Sequence, residues 1–390
     1  MINTTAVNTV LASARFLNKS WVQYQEKVVQ ISSLFPFTLV KISVLFLFFI
    51  GTNLALAQIQ KNSRLTFNAY AEAYYANATS FSAAKTLPEY IYNHKKGQEA
   101  SINLAFVKVN YQTKRFRSNV ALMAGDYSRY NLSAEPNWAK PILEANVGVK
   151  LSNKKNLWLD AGVMPSHIGF ESAISADCWT LTRSILAENS PYFETGIKLS
   201  YTNPSEKWNV AALVLNGWQR INFVKEFKNP SYGFQFNYKP KTNLQFNYSN
   251  FIGYNFIENQ QSLRHFHNLY AVYEPTEKVG FTFGFDIGND KISNSKSGIW
   301  YSPVGIARIK INSKLKTAFR TEFYSDKNQL IIPTASNTGS QILGVSSNLD
   351  YQMGENWLWR MEIKNFESNT ALFGTKNSTY CFITSLVVKL

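Results

Sequence analysis

Apolar and polar residues alternate with a period of two in many short stretches of this chain. Residues 193–201 show the pattern clearly, since Ile197 and Leu199 fall on one face while Glu194 and Lys198 fall on the other. Because successive side chains of a β-strand point to opposite faces, the alternation predicts strands with one apolar and one polar face. Such strands fit a β-barrel in a membrane, where the apolar face meets lipid. They also fit a soluble β-sandwich, which is the alternative.

The alternation predicts sixteen strands along the chain. Their approximate ranges are 65–75, 101–112, 118–127, 143–152, 157–166, 193–203, 208–218, 231–240, 243–253, 266–274, 278–288, 300–312, 316–325, 341–352, 357–367 and 378–390. An even number of antiparallel strands lets a barrel close with both chain ends on the periplasmic side of the membrane. The predicted fold is therefore all-β, a transmembrane antiparallel up-and-down β-barrel of about sixteen strands.

The predicted connections alternate between short and long. The short ones are 113–117, 153–156, 203–207, 240–242, 275–278, 313–315 and 354–356. The long ones include 76–100, 128–142, 167–192, 219–230, 289–299 and 326–340. Short periplasmic turns and long extracellular loops are typical of outer-membrane barrels, whereas a soluble sandwich has no reason to sort its loops in this way. The last strand runs to Leu390, like the C-terminal signal read by the barrel-assembly machinery.

The composition agrees with a membrane barrel. Of the 390 residues, 15% are aromatic and only 17% are charged, and the mean hydropathy is −0.20. The strands of such a barrel are apolar on one face only, and aromatic residues girdle its rims. No segment of the mature chain is apolar enough for a membrane helix. The two cysteines are too few for a disulfide scaffold.

Residues 1–57 are interpreted as an N-terminal extension plus a signal peptide. Lys41 precedes an apolar run at 42–50, and the small residues that signal peptidase needs end at Ala57. The run is too short to cross a bilayer core of about 30 Å as a helix. We therefore expect cleavage after Ala57 and a single barrel domain over residues 58–390.

The segment before Lys41 is long for the basic start of a signal peptide. It already mixes polar and apolar residues, among them Trp21 and Phe35. We therefore expect translation to begin at Val40, from a codon read as Met. Mutation of an upstream ATG without loss of expression would support this start.

Four segments of the mature chain carry a family resemblance. They are 162–171 (GVMPSHIGFE), 178–193 (CWTLTRSILAENSPYF), 213–219 (LVLNGWQ) and 264–268 (RHFHN). They resemble the OmpL-like putative β-barrel porin family of Gram-negative outer membranes, and the resemblance covers about residues 65–390. It implies a porin-like outer-membrane barrel, and it brings no established solute or catalytic residues with it.

Sixteen strands enclose enough space for an aqueous channel, whereas an eight-stranded barrel is filled by its own side chains. Passive diffusion of small hydrophilic solutes or ions is therefore the expected function. A structural or surface-interaction barrel, plugged by its loops, is the alternative. The expected partners are outer-membrane lipid, lipopolysaccharide, the barrel-assembly machinery, small solutes and further copies of the chain. Nucleic acid is not indicated, because the basic residues are scattered among hairpin turns.

The polar strand faces carry a nearly balanced set of charges. The basic pore-lining candidates are Lys150, Lys198, Lys239, Arg308, Lys310, Arg320, Arg360, Lys364 and Lys389. The acidic candidates are Glu72, Glu144, Asp160, Glu194, Glu274, Asp286, Glu322, Asp350 and Glu362. The chain has a formal net charge of +15, of which residues 1–57 carry +3. The excess is therefore expected mostly in turns and loops, and anion preference is a hypothesis that reversal potentials test.

The long connection 167–192 is the expected constriction of the channel. Its charged candidates are Glu171, Asp177, Arg183 and Glu188. Residues 184–188 are predicted to form a short helical turn, with Asp177 or Thr180 near its start. Its aromatic and aliphatic residues favour packing against something, because a freely solvated loop gains nothing from them. An ordinary external loop is the alternative.

The cysteines and histidines give three further hypotheses. Cys178 and Cys381 are expected either to form a disulfide that pins this loop to the wall or to stay unpaired thiols. His265 and His267 share a strand face, but no third metal ligand stands at a recognisable spacing. His167 lies near Glu171, which leaves a hydrolytic site as an alternative. We expect no cofactor, no metal site and no enzymatic activity.

Overall fold

The computed structural model describes residues 64–390 except 83, 228, 258–259, 293–295 and 335–337. This part of the chain forms one closed barrel, in which each strand pairs with its sequence neighbours and the first strand pairs with the last. The sixteen-stranded antiparallel barrel predicted from the alternation is therefore confirmed. The strands are β1 (Leu65–Ala78), β2 (Ala100–Gln112), β3 (Phe116–Ala124), β4 (Ile142–Lys150), β5 (Asn156–Pro165), β6 (Phe193–Thr202), β7 (Trp208–Leu215), β8 (Ser231–Lys241), β9 (Leu244–Ile257), β10 (Gln260–Tyr273), β11 (Val279–Ile292), β12 (Lys296–Lys310), β13 (Leu315–Asp326), β14 (Ser340–Gln352), β15 (Trp357–Ser368) and β16 (Ser378–Lys389).

Strand β16 shows how the alternation builds the wall and closes it. Tyr380 is 57% exposed on the outer face, whereas the next residue, Cys381, is 2% exposed on the inner face. The chain end joins β1 through two backbone hydrogen bonds between Leu390 and Ala69, at 2.8 and 3.0 Å. Because every strand has two neighbours, the barrel leaves no open sheet edge.

The two ends of the barrel differ. One end, here the short-turn end, carries connections of two to five residues, such as 113–115 and 242–243. The opposite end, here the long-loop end, carries the longest connections, among them 79–99, 166–192 and 216–230.

The predicted long connection 289–299 is wrong. Strands β11 and β12 extend until three residues separate them, and Asp290 pairs with Gly298 across the extended ladder. Asp290 also forms a buried ion pair with Arg264 of β10, with Nη2 2.8 Å from Oδ2. This contact depends on a residue far away in the sequence, so local turn signals did not reveal it.

The described residues of the long connections include three short helical segments: α1 (Asp126–Asn131), a 3-10 turn (Ser175–Asp177) and α2 (Ile185–Glu188). Ser184 caps α2, because its side chain accepts a hydrogen bond from the Ala187 amide. The helical turn predicted at residues 184–188 is therefore present, and Ser184, not Asp177 or Thr180, lies at its start. No helix in the described part of the chain is both long and apolar enough to cross a membrane. The extension, the cleavage after Ala57 and the start at Val40 lie outside the described residues.

Apolar side chains pack inside the barrel towards the long-loop end. The wall contributes Phe251, Phe266, Trp300, Tyr324, Ile342 and Phe366. The long connections contribute Leu87, Ile91, Leu181, Ile185, Leu330 and Ile332. Burial of this apolar surface is the main force that holds the connections within the barrel. A lumen lined by polar residues alone therefore does not describe this end.

Candidate functional site

The connection between β5 and β6, residues 166–192, turns into the barrel directly after β5 ends. We call it the inward loop. His167 marks the turn: its Nδ1 lies 2.8 Å from the Glu194 carboxylate and its Nε2 lies 2.8 Å from the Asn250 carbonyl oxygen. Burial lowers the pKa of His167, but the Glu194 carboxylate and the two hydrogen bonds outweigh burial and raise that pKa above 6.5.

The far side of the inward loop is bound by charged residues of β13 and β15. The Thr182 amide donates to Glu362 at 2.6 Å, and the Thr182 carbonyl accepts from Arg320 at 2.6 Å. The Ile185 amide donates to Glu322 at 2.5 Å. Thr182 and Ile185 are buried, and these wall side chains satisfy their backbone groups, as a buried backbone requires.

Arg360 of β15 holds another part of the inward loop. Its guanidinium forms an ion pair with Asp350, with Nε 2.8 Å from Oδ1, and donates to the carbonyl oxygens of Ser175 and Cys178. An ion-paired guanidinium keeps free donors, so the same arginine neutralises a wall carboxylate and fixes the loop.

Arg183 organises the inward loop from within. It is fully buried, and it donates to the carbonyl oxygens of Ser172, Ala173 and Leu181 at 2.6 to 2.7 Å. Its own carbonyl oxygen accepts from Lys364 of β15 at 3.2 Å. A guanidinium that joins three carbonyl groups ties distant parts of the loop into one compact unit.

Glycines on the inner wall make room for aromatic rings of the inward loop. The three pairs are Gly233 with His167, Gly280 with Trp179 and Gly284 with Phe170. A Cβ atom at Gly233 would lie 2.7 Å from the His167 ring, and one at Gly280 would lie 2.8 Å from the Trp179 ring. Any side chain at these wall positions therefore collides with the loop as it is seated.

The connection 79–99 also folds inward and packs against the inward loop. Its Tyr92 and Asn93 amides donate to the Glu188 carboxylate at 2.8 and 3.2 Å. His94 Nε2 lies 3.1 Å from the Glu72 carboxylate of β1. This second inward segment was not foreseen, because its sequence gives no sign of which acidic residues it meets.

The four charged candidates of the inward loop have different surroundings. Glu171 accepts from the Ser184 amide at 3.1 Å, and Asp177 forms an ion pair with Lys389 at 2.7 Å. Burial raises the pKa of Glu171 and of Glu188. Arg183 and Glu188 are buried, so neither presents its charge to an open lumen.

The predicted pore-lining residues fall into three groups. Those that bind the inward loop or the connection 79–99 are Glu72, Glu194, Arg320, Glu322, Arg360, Glu362, Lys364 and Lys389. Those held mainly by other wall residues are Glu144, Asp160, Asp286, Arg308, Glu274 and Asp350. Those without an ion-pair partner among the described residues are Lys150, Lys198, Lys239 and Lys310.

Wall residues that the sequence interpretation missed complete the second group. Lys108 pairs with Glu144, with Nζ 2.5 Å from Oε1. Arg117 binds Asp160, with Nε 2.6 Å from Oδ1, and stacks on an indole ring. The same period-two count would have placed Lys108 on the inner face of β2, whereas Arg117 was assigned to a turn although β3 begins before it.

Cys178 and Cys381 are buried free thiols, so the structure does not contain the disulfide considered above. The Cys178 thiol faces its own loop, where Sγ lies 3.5 Å from the Ser172 carbonyl oxygen. Cys381 lines a small cavity on the wall beside Leu87 and Phe366.

The histidines have structural surroundings. His265 and His267 alternate with buried residues of β10 and face outward, and His267 Nδ1 lies 2.8 Å from the Tyr248 hydroxyl. His167 meets Glu194, whereas Glu171 meets Ser184, so the pair considered for hydrolysis is not formed. Across the described ranges, no three metal-ligating side chains lie close enough to hold an ion.

A cavity of about 240 Å³ separates the inward loop from the wall around β4–β6. Its lining includes Glu144 of the wall, Ser166 and Ser172 of the loop, and Tyr127 and Tyr192. In the described part of the chain, no hydrogen bond joins the inward loop to β2, β3 or β4. The hydrogen bonds of the loop therefore run to one part of the wall, whereas its Leu186 and Tyr192 pack in an apolar cluster with Leu104 of β2 and Met123 of β3, and the cavity lies beside β4.

Comparisons with solved structures agree with this architecture. The anion-selective porin from Comamonas acidovorans has a TM-score of 0.56 at 8% identity, covering 84% of this chain and 99% of that one. The outer-membrane channel DcaP of Acinetobacter baumannii has a TM-score of 0.55 at 8% identity, covering 84% and 97%. The in-vitro folded OmpT of Vibrio cholerae, in a trimer form, has a TM-score of 0.54 at 10% identity, covering 84% and 99%. These similarities concern the fold.

A search of curated protein sequences gives no significant match. The family model described as "Putative beta-barrel porin-2, OmpL-like" matches residues 64–390, which is the whole described barrel. The chain therefore belongs to this OmpL-like β-barrel porin family, and it is a multi-pass β-barrel of the outer membrane.

Proposed function

We propose that this barrel is a passive channel for small hydrophilic solutes or ions, and that the inward loop narrows it. The observation that carries the proposal is that the inward loop hydrogen-bonds to only part of the wall and leaves a cavity beside another part. Its hydrogen bonds to the wall run to β1, β6, β8–β10 and β13–β15, whereas the cavity separates it from Leu143 and Glu144 of β4. Solutes would pass between the loop and this free part of the wall.

The groups around the cavity suit water and small polar solutes. Glu144, Ser166, Ser172 and Tyr127 offer carboxylate and hydroxyl groups, and Lys108 offsets the charge of Glu144. Porin-type selectivity arises from the size of such a passage and from the groups that line it. No catalytic group is needed for this function.

A structural barrel without channel activity is the second candidate. The packed apolar side chains at the long-loop end favour it, because Leu181, Ile332 and their neighbours fill space that water would otherwise occupy. Surface interactions with lipopolysaccharide, and assembly with further copies of the chain, belong to the proposals for either function.

Single-channel recording in planar bilayers separates the two candidates. The channel proposal predicts discrete conductance steps from the folded barrel. It also predicts that Ala173→Cys, in the cavity lining, loses conductance when a bulky membrane-impermeant thiol reagent is added. Ala73→Cys, on the exposed outer face of β1, is the matched control and should be unaffected. A folded barrel without steps would favour the structural candidate.

A further inference from the structure

We propose that the channel prefers anions, and that a small set of unpaired lysines in the short-turn half of the lumen produces this preference. The inference rests on the proposed channel function and names its solute class. Formal charges on the inner face are nearly balanced, so the count of charges does not decide the question. The pattern of ion pairs does.

The acidic side chains of the lumen are already occupied or buried. Glu144, Asp160, Glu274 and Asp350 each have a basic partner on the wall. Glu322 and Glu362 lie beside Arg320, and these three buried side chains, here called the clamp, bind the backbone of the inward loop. Asp286 is fully buried and accepts a hydrogen bond from Asn268 at 2.5 Å, so it does not face the passage.

Several lysines have no such partner. Lys150, Lys198, Lys310 and Lys316 share the strand faces of the buried inner-wall residues, since they stand an even number of positions away from Glu144, Glu194, Ile306 and Arg320. Among the residues that the structure describes, none of these four lysines has a carboxylate within 4 Å. Each remains partly accessible to solvent.

A carboxylate stands opposite Lys198 but binds a different cation. Lys198 stands directly opposite Asp160 in the β5–β6 ladder. Arg117 already binds both oxygens of Asp160 and stacks at 4.3 Å on the Trp158 ring, which fixes the guanidinium in place. A bidentate guanidinium is the stronger partner of a carboxylate. Lys198 is therefore left without an ion-pair partner of its own on the inner wall.

Lys310 and Lys316 form a second unpaired group. They are direct partners across the β12–β13 ladder, so two like charges face each other on the inner wall. Such a pair destabilises a sheet unless something compensates for it. Asp350 stands opposite Lys316 on the other side, but Arg360 holds that carboxylate. A mobile anion from solution is the compensating charge that this arrangement leaves room for.

Three of these lysines lie at the same end of the barrel. Lys150, Lys310 and Lys316 all lie at or next to strand ends at the short-turn end, whereas the opposite end is packed with apolar groups. A narrow passage with low-dielectric walls concentrates ions of the opposite sign. Chloride and small carboxylates or phosphates are therefore expected to gather at the short-turn mouth, most strongly at low salt, where screening is weak.

Reversal potentials in a potassium chloride gradient test the proposal. The wild-type barrel should pass chloride in preference to potassium, and Lys310→Gln with Lys316→Gln should move the reversal potential towards zero. Lys327→Gln removes one exposed charge at the long-loop end and is the control, which should leave the reversal potential unchanged. Cation preference in the wild type, or no shift in the double variant, would overturn the proposal.

A binding measurement keeps this inference separate from channel activity. If the folded barrel shows no conductance steps, the proposed function fails while the charge assignment is still tested. Titration of the detergent-solubilised barrel with inorganic triphosphate should then give binding that weakens in the Lys310→Gln, Lys316→Gln variant and in Lys198→Gln, but not in Lys327→Gln. Absence of binding to the wild type would overturn the charge assignment itself.

Discussion

Arg320 and Glu362 form an ion pair across the inner wall, with Nη2 2.8 Å from Oε1, and both also bind the backbone of Thr182. One peptide segment of the inward loop is thus held between a guanidinium and a carboxylate. Both side chains are buried. A buried ion pair that also satisfies backbone groups fixes position as well as charge. The clamp therefore couples the stability of the wall to the place of the loop.

Arg320→Gln is expected to release this part of the inward loop. The change removes a buried cation and leaves Glu322 and Glu362 with less compensation, which costs about 3–5 kcal/mol of stability in typical buried pairs. We expect a lower unfolding temperature and a larger, noisier single-channel conductance. Arg115→Gln, on an exposed turn, is the matched control and should change neither. Equal conductance of Arg320→Gln and the wild type would show that the clamp does not position the loop.

Gly233→Ala should displace the imidazole ring of His167. The added methyl group would lie 2.7 Å from the imidazole ring, so the loop must shift, at a cost of about 1–3 kcal/mol. Gly305→Ala is the control, because its added methyl group would have no neighbour closer than 3.7 Å. Thermal unfolding of the two variants side by side measures the difference. A control as unstable as Gly233→Ala would mean that strand glycines, and not loop contacts, set the effect.

The contribution of His167 to the stability of the folded barrel should depend on pH. Because its pKa in the folded barrel is raised above 6.5, its interactions stabilise the barrel fully below pH 6.5. That stabilisation is lost as the pH rises through the raised value, since neutral imidazole cannot donate to both Glu194 and the Asn250 carbonyl. The stability difference between wild type and His167→Gln, from unfolding midpoints, should shrink towards alkaline pH. A difference independent of pH would contradict this role.

The two cysteines should behave as protected thiols. Burial raises the pKa of the Cys178 thiol, and thiols react through their ionised form. Neither Cys178 nor Cys381 should react with a polar alkylating reagent in the folded barrel, and both should react after unfolding without a reductant. Mass spectrometry counts the added groups. Failure of both to react after unfolding, with reaction restored by a reductant, would show the disulfide instead.

The fold was predictable because period-two alternation reports directly on local backbone geometry. β6 carries the alternating faces that residues 193–201 predicted, and β5 and β6 pair around the loop assigned to 167–192. The extension of β11 and β12 was missed, because the pairing of Asp290 with Arg264 joins residues far apart in sequence. Local sequence patterns do not predict strand boundaries that depend on such long-range partners.

The interior was predictable in charge but not in pairing. Alternation placed Arg320, Glu322 and Glu362 on the inner face, and the structure brings them together. It did not foresee that they bind loop backbone, nor that Lys198 loses its neighbour Asp160 to Arg117. Pairing depends on register and on the reach of each side chain, and a shift of one residue would change every partner.

The central claim is that the inward loop is held within the barrel, and trypsin cleavage after Arg183 tests this claim most directly. Arg183 is the sole trypsin site between residues 166 and 192, and its side chain is fully buried. The folded wild-type barrel should resist cleavage there at a protease level that cuts the heat-unfolded chain, as mass spectrometry of the fragments would show. Rapid cleavage after Arg183 in the folded wild-type barrel would contradict the claim.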